Sequence, residues 1–206
     1  MKALRTVLTL SCLLLLIGSA LVSAACDTAL VVVDVQNYPL REWPPWRTAT
    51  DEYIVDAIER VLDFARSSDV PVIYIQEVFP LTDISPDLEL TEDQAFPDAI
   101  APKPKEPIFR KSGQDAFDNG ALLTHLRAEG YEILLFCGIS SSSCVQATAN
   151  TAVVLGFDVR VIGDAHSDIP GAPSHVAMWN SRFPNRMGIP TPFSNEIDWA
   201  SLGCAP

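Results

Sequence analysis

Residues 131–139 read YEILLFCGI, and residues 140–144 continue as SSSSC. A short apolar run rich in branched and aromatic residues predicts a strand buried on both faces, as in a parallel sheet. Runs of the same kind lie at residues 28–35 (TALVVVDV), 71–78 (PVIYIQEV) and 157–163 (FDVRVIG). These four strands set the fold class.

Segments with helical patterning separate the strands. They are a segment from a predicted Thr50 cap to Ala65, residues 116–129, residues 143–155 and, more weakly, residues 172–183. Residues 37–50 and 80–108 are rich in proline or acidic residues and predict loops. Strands that alternate with helices form βαβ units. We therefore predict a three-layer α/β/α, Rossmann-like fold with a mostly parallel central sheet.

The composition excludes several classes of protein. The chain has 206 residues, of which 48% are hydrophobic and 19% charged, with a net charge of −12. This is enough apolar material for one sizeable core, and a disordered chain would be more charged and less apolar. Because a nucleic-acid-binding protein needs a basic face, the acidic balance predicts no nucleic-acid partner.

Residues 1–25 have the pattern of a secretory signal peptide. A positive start at Lys2 and Arg5 precedes an apolar stretch over residues 7–22, and small residues follow at 23–25. We predict cleavage, export to the periplasm or medium, and no stable membrane span thereafter, so that residues 26–206 form the mature domain. The alternative is a retained membrane anchor.

The cysteines offer two further interpretations. Cleavage would remove Cys12 and leave four, with Cys26 at the new N-terminus and Cys204 near the C-terminus. Because the termini of compact domains often lie close together, and exported proteins keep disulfides, we predict a Cys26–Cys204 bond. The segment before Cys26 also loosely resembles a lipoprotein cleavage box, and lipid attachment at Cys26 is the alternative.

Side chains that could take part in catalysis lie where the strands end. Asp34 and Glu77 lie near the ends of the first two strands, and Cys144 opens a helix after the third. Ligands of open α/β sheets bind outside the carboxyl ends of the strands. A thiol at a helix N-terminus is expected to have a depressed pKa, and the same N–H groups can hold an oxyanion. The alternatives are a buried structural cysteine and a capping aspartate.

Three blocks make the chain similar to the isochorismatase-like cysteine hydrolases, which include nicotinamidases, N-carbamoylsarcosine amidase and ureidoacrylate amidohydrolases. Residues 29–37 (ALVVVDVQN) resemble the first strand and its D-x-Q-N ending. Residues 109–117 (FRKSGQDAF) resemble the lysine block, and residues 134–168 resemble the nucleophile block and the strand after it.

The resemblance implies a Cys-Asp-Lys triad. Cys144 is then the nucleophile, Asp34 the general base and acid, and Lys111 the cation between them. A cis peptide bond between Ile139 and Ser140 is expected to shape the oxyanion hole. The implied activity is hydrolysis of a C–N bond in a small amide or carbamoyl substrate. Vinyl-ether hydrolysis and a non-catalytic binding role on the same fold are the alternatives.

The chain departs from the nicotinamidases in its second-strand region, which has no histidine. The resemblance then implies no catalytic metal and no cofactor, and it suggests a homo-oligomer. The candidate pocket residues are Gln36, Tyr38, Trp43, Trp46, Glu77 and Phe79.

Overall fold

The computed structural model describes residues 26–43, 45–78, 91–169 and 172–203. The predicted signal segment at residues 1–25, and the candidate residues Phe79 and Cys204, lie outside the described residues. No helix of the described residues is long and apolar enough to span a membrane.

Five parallel strands form the central sheet. They are β1 (Thr28–Val33), β2 (Val72–Glu77), β3 (Ile108–Lys111), β4 (Ile133–Ile139) and β5 (Asp158–Ser167). Their spatial order is β3-β2-β1-β4-β5, and all four pairings are parallel. The chain reverses its direction of winding at β1, which lies in the middle. The carboxyl ends of β1 and β4 therefore meet at the switch point where ligands bind in such sheets.

Helices cover both faces of the sheet. They are α1 (Asn37–Glu42), α2 (Ile54–Ser67), α3 (Ala121–Glu129), α4 (Cys144–Val154), α5 (Pro173–Arg182) and α6 (Trp199–Leu202). Apolar side chains of α3, α4 and α5 pack with one face of the sheet, and those of α2 and α6 pack with the other. The predicted three-layer α/β/α fold is confirmed.

Strand β1 shows why these sequences form central strands. All six of its side chains are buried, because one face meets the core below α4 and the other meets the core below α2. Strand β4 is buried in the same way apart from its first residue. A strand covered on both sides loses the polar alternation of a one-sided sheet, which explains the continuous apolar runs.

Two short elements were not predicted. Strand β3 has only four residues, and its side chains range from exposed Ile108 to buried Lys111. Such a short edge strand has too little apolar sequence to be recognised. Helix α1 has six residues and contains Pro39, which the composition assigned to a loop.

Several predicted boundaries were also wrong. Thr50 does not cap α2, which begins at Ile54, and its hydroxyl instead lies 2.9 Å from that of Thr48. The segment predicted as helical from residue 116 turns first and becomes helical only after Gly120, whose φ of +72° is left-handed. Strand β5 extends to Ser167, beyond the predicted end at residue 163.

Candidate active site

Asp34 is placed in the site by a turn directly after β1. Its backbone has a left-handed φ of +53°, a conformation that aspartate tolerates better than most residues. The Asp34 amide donates to the carbonyl of Ile75, and its carbonyl accepts from the amide of Gln36. The carboxylate is buried.

Lys111 brings a buried ammonium to this carboxylate from the end of β3. Its Nζ lies 2.7 Å from Oδ2 of Asp34 and donates to Sγ of Cys144 at 3.4 Å. It also donates to the carbonyl of Gly113 at 2.7 Å and lies 3.9 Å from Glu77. The lysine thus contacts both other members of the triad that the resemblance implies.

Cys144 is the first residue of α4, as predicted. Its Sγ, a carboxylate oxygen of Asp34 and one of Glu77 all lie within 4.8 Å of one another. Three groups that exchange or stabilise protons therefore converge on one point at the carboxyl edge of the sheet.

The predicted low pKa of Cys144 is wrong for the ligand-free site. Burial and the nearby Asp34 carboxylate raise the pKa of the thiol to about 12, and the attraction of Lys111 does not offset them. Burial also raises the pKa of Asp34 above its ordinary value, although Lys111 lowers it. For Lys111, burial lowers the pKa, but Asp34, Cys144 and Glu77 together raise it above its usual value. The resting site holds a protonated lysine beside a thiol.

The turn before Cys144 has the geometry of an anion site. The Ile139–Ser140 peptide bond is cis, as expected from the resemblance. The amides of Ser143 and Val145 donate to the carbonyl of Ser140, so the turn is closed on itself. The amide of Cys144 is at the first helical position, where N–H groups have no partner within the helix.

Gly138 allows β4 to approach β1 at this turn. Its φ is +124°, and a Cβ at this position would lie 2.2 Å from the carbonyl oxygen of Val33. No side chain fits there, so only glycine allows this close approach of β4 to β1 just before the turn.

Asp168, just after β5, was not predicted as a site residue. Its carboxylate accepts hydrogen bonds from the hydroxyls of Ser140 and Ser142, and Oδ2 lies 3.4 Å from Nδ1 of His175. The strand-end rule that identified Asp34 and Glu77 also applies to Asp168. It was missed because the predicted strand ended at residue 163.

A second set of contacts anchors the same turn to β5. The Ser141 hydroxyl lies 2.7 Å from Nδ1 of His166 and donates to the carbonyl of Ser167. Nε2 of His166 lies 2.7 Å from the side-chain oxygen of Asn180. Burial lowers the pKa of His166 to about 4, so the ring is neutral at neutral pH. This histidine therefore has a structural role.

The candidate side chains line one cavity of about 290 Å³. Its walls include Asp34, Gln36, Tyr38, Trp43, Trp46, Glu77, Ile139, Ser140 and Cys144, all of which were predicted. They also include Asp93, Gln94, Ser142, Ser143, Asp168 and Ile169, which were not. Asp93 and Gln94 lie in a short 3₁₀-helix, Glu92–Gln94, within the predicted loop, where no periodicity marked them.

Gln36 fixes the geometry of the cavity wall. Its side-chain nitrogen donates to the carbonyls of Glu77 and Gln94, and its side-chain oxygen accepts from the amide of Glu77. The side chain therefore ties the end of β1 to the end of β2 and to the 3₁₀-helix.

Neither of the other two cysteines of the described residues lines the cavity. Cys137 is a free buried thiol on β4, and Cys26 is disulfide-bonded. Because Cys204 lies outside the described residues, the Cys26–Cys204 pairing stays a prediction.

The site offers metal-type ligands but also a built-in cation. Asp34, Glu77 and Cys144 are close enough together to hold an ion. The Lys111 ammonium already lies 2.7 Å from Asp34 and supplies positive charge at that point. The expectation of a metal-free site stays a prediction.

Together, the fold and the site define a class: α/β proteins that carry a cysteine, a carboxylate and a lysine at the switch point of a parallel sheet. Residues 28–191 match the Isochorismatase domain family. The chain belongs to this family of hydrolases, which confirms the resemblance drawn from the sequence.

Curated relatives include a hydrolase and an amidase by name. A streptothricin hydrolase of Streptomyces noursei is 33% identical over 150 residues, covering 70% of this chain and 57% of that protein. The N-carbamoylsarcosine amidase of Arthrobacter sp is 25% identical over 169 residues, covering 74% and 62%. The chain thus spans little more than half the length of the streptothricin hydrolases that it matches.

Solved structures have the same fold. N-carbamoylsarcosine amidase from Thermoplasma acidophilum has a TM-score of 0.68 at 24% identity, covering 84% of this chain and 99% of that one. A cysteine hydrolase from Pseudomonas syringae pv. phaseolicola 1448A has a TM-score of 0.72 at 21% identity, covering 87% and 94%.

Proposed function

We propose that the chain is a cysteine hydrolase that cleaves a C–N bond of a small amide or carbamoyl compound, with Cys144, Asp34 and Lys111 as its catalytic residues. One observation carries this proposal. The Lys111 ammonium lies 2.7 Å from the carboxylate of Asp34 and 3.4 Å from the sulfur of Cys144, at the base of a cavity.

The raised pKa values suit proton transfer between Cys144 and Asp34. A buried carboxylate with a raised pKa is a stronger base than a solvated one, and it faces a thiol that needs deprotonation. As Sγ attacks the substrate carbonyl carbon, the thiol proton passes to Asp34 and the carbonyl π electrons move to oxygen. Lys111 stays protonated and stabilises the negative charge on either partner.

Collapse of the tetrahedral adduct breaks the C–N bond. Asp34 returns its proton to the departing nitrogen, and an acyl thioester remains on Cys144. Water then gives a proton to Asp34 and attacks the thioester, and the carboxylic acid leaves as the thiol regains its proton. The balance is amide plus water to acid plus amine or ammonia.

The oxyanion of both adducts needs hydrogen-bond donors. The amides of Ser140 and Cys144, on either side of the turn that follows the cis bond, are the donors we assign to it. The turn is held by Asp168 and His166 in the free protein, so these donors are preorganised. The complete Cys-Asp-Lys set favours amide chemistry over vinyl-ether hydrolysis and over a purely binding role.

Ammonia release from a panel of small primary amides and carbamoyl compounds tests the proposal. We expect turnover of at least one compound and a loss of about 10⁴-fold or more in kcat for Cys144→Ala, because the covalent step is removed. Cys137→Ala removes the neighbouring thiol on β4 and is the matched control. Equal turnover by Cys144→Ala and wild type would overturn the proposal.

We further propose that the protein is exported. The signal-like residues 1–25 support this, and so does the disulfide at Cys26, because such bonds persist in oxidising compartments. The mass of the non-reduced protein purified from its host tests whether residues 1–25 are removed and whether Cys26 is in a disulfide. A chain that retains residues 1–25, or that carries a lipid on Cys26, would contradict cleavage to a soluble mature protein.

A further inference from the structure

The charged side chains of the cavity wall are acidic. In the described part of the wall, the titratable side chains besides Cys144 and Tyr38 are carboxylic acids, and no lysine or arginine lines it. Lys111 lies behind the wall, is only 2% exposed, and is engaged with Asp34. A substrate in the cavity therefore meets carboxylates and, among the described residues, no accessible ammonium or guanidinium.

Not all of these carboxylates are equally available. Asp34 contacts Lys111, and Asp93 pairs with Arg41 at 2.8 Å on the surface. Asp168 accepts two serine hydroxyls and faces His175. Glu77 differs, because its nearest cation among the described residues is Lys111 at 3.9 Å, too far for a direct hydrogen bond.

Glu77 is also positioned to touch a bound substrate. Its side chain is 28% exposed, and one of its carboxylate oxygens lies within 4.8 Å of Sγ of Cys144. Its backbone is held on both sides by the amide group of Gln36. A fixed, half-buried carboxylate this close to the nucleophile would lie beside the first few atoms of the acyl group.

The aromatic part of the wall favours the same type of ligand. Trp43 and Tyr38 pack edge to face with centroids 5.6 Å apart, and each is more than a third exposed. The face of a tryptophan or tyrosine ring attracts cations through its quadrupole. Carboxylates and aromatic rings together are a surface for an ammonium or guanidinium group.

We propose that the substrate is an amide whose acyl part carries a cationic group a few bonds from the scissile carbonyl, and that Glu77 is the specificity residue that binds this group. This inference rests on the proposed function, since it names the substrate class of the same site. Neutral amides fit less well because they leave Glu77 unpaired. Anionic amides are disfavoured because they bring a second negative charge to it.

The test is a set of primary amides that differ only in charge. β-Alaninamide, butanamide and succinamate place an ammonium, a methyl or a carboxylate at the same distance from the amide, and homologues with one or three methylenes vary the reach. Ammonia release gives kcat/KM for each compound. We expect the ammonium compound to exceed its methyl isostere by at least tenfold at its best spacer length, and the carboxylate to be the poorest.

Two variants locate the effect. In Glu77→Gln, the ratio of ammonium to methyl compound falls below threefold, whatever the absolute rates become. Glu92→Gln makes the same change on an exposed glutamate that does not line the cavity, so the ratio remains at its wild-type value. A preference for the methyl or carboxylate compound, or a ratio unchanged by Glu77→Gln, would overturn the inference.

Calorimetry of the same set of amides binding to Cys144→Ala separates this inference from the proposed function. Charge-dependent binding with no turnover by the wild type would keep Glu77 as the residue that binds the cation and overturn the hydrolase proposal. Turnover without a preference for the cation would do the reverse. Absence of both turnover and charge-dependent binding would overturn both.

Discussion

Two ion pairs with little solvent exposure connect neighbouring elements of this molecule, one at each end of β3. Arg66 and Glu106 meet near the start of the strand, and Lys111 and Asp34 meet at its end. Both pairs join a base to an acid with little solvent contact. They differ in how completely their hydrogen bonds are made, and this difference separates a structural pair from a proton-transferring one.

The Arg66–Glu106 pair is saturated. Nε and Nη2 of Arg66 each donate to a different Glu106 oxygen at 2.8 Å, and Nη2 also contacts the carbonyl of Ala101 and the hydroxyl of Tyr74. Glu106 additionally accepts from the amide of Lys103. Burial alone would raise the pKa of Glu106, but these hydrogen bonds lower it below its ordinary value. Glu106 is therefore ionised at all physiological pH values.

The Lys111–Asp34 pair is incomplete. Among the described residues, neither oxygen of Asp34 receives a well-aligned hydrogen bond, although Nζ is only 2.7 Å away. Nζ directs its aligned bonds to Gly113 and Cys144. Burial therefore dominates and raises the pKa of Asp34. A buried carboxylate whose hydrogen bonds do not offset the effect of burial can gain and lose a proton at modest cost, as a general base must.

Removal of both charges of the incomplete pair gives the largest expected effect. We expect Asp34→Asn/Lys111→Met to lower kcat/KM about 10³- to 10⁴-fold, the usual scale for general acid–base catalysis. The free energy of unfolding should stay the same or rise by about 1–4 kcal/mol, because neutral groups avoid the desolvation of a buried pair. Steady-state kinetics and urea denaturation measure the two quantities.

The outcome that would break the comparison is a loss of stability with activity retained. It would show that the Lys111–Asp34 pair holds the fold together as the Arg66–Glu106 pair does. A double variant is needed because a single substitution would leave one charge buried without its partner.

The saturated pair should behave in the opposite way. We expect Glu106→Gln to lower the free energy of unfolding by about 1.5–3 kcal/mol, since hydrogen bonds to a charged group are lost. Activity per folded molecule should match the wild type. The folded pKa of Glu106 is lowered, so its contribution is present above the ordinary value of 4.5 and is lost as the pH falls through the folded value.

The free energy of unfolding, measured by urea denaturation at pH 7 and at pH 3, tests this prediction. The difference in free energy of unfolding between wild type and Glu106→Gln should be larger at pH 7 than at pH 3. A difference that is the same at both values would mean that Glu106 acts by packing and not by its charge.

Four of the five strands, and the strand-end positions of Asp34 and Cys144, could be predicted from the sequence because both depend on local pattern. Buried parallel strands are continuous apolar runs, and Asp34 and Cys144 follow directly from them. Lys111 was identified through the family resemblance alone, since β3 is too short to leave a pattern. Asp93 was missed for the same reason, because it lies in a single turn within a long segment.

The proton state of the site was not predictable from the sequence. A cysteine at a helix N-terminus indicates a lowered pKa only if the helix end is solvated or faces a cation. Here Asp34 and the buried surroundings outweigh Lys111 at Cys144. That balance depends on which charges the fold brings within a few ångströms, and Asp34 and Cys144 are far apart in the chain.

The smallest expected effect is on the reactivity of Cys144 towards iodoacetamide. With a pKa of about 12, the thiol should be alkylated at pH 8 more slowly than a free thiol, and the rate should rise as the pH increases. Asp34→Asn removes a carboxylate that raises the pKa of Cys144, so we expect alkylation to become several-fold faster while turnover falls. Peptide mass spectrometry identifies the labelled cysteine, and Cys137→Ala removes the other free thiol of the described residues from the measurement.

The measurement is informative because Asp34→Asn is expected to speed alkylation of Cys144 and to slow turnover. A change that merely loosened the site would speed alkylation of buried thiols in general, and the labelling of Cys137 in Asp34→Asn reports such loosening. If Asp34→Asn instead slows alkylation of Cys144, then the carboxylate already holds the thiol proton before substrate arrives. The incomplete ion pair would then stabilise a thiolate in the resting enzyme, and Asp34 would enter the reaction as an acid.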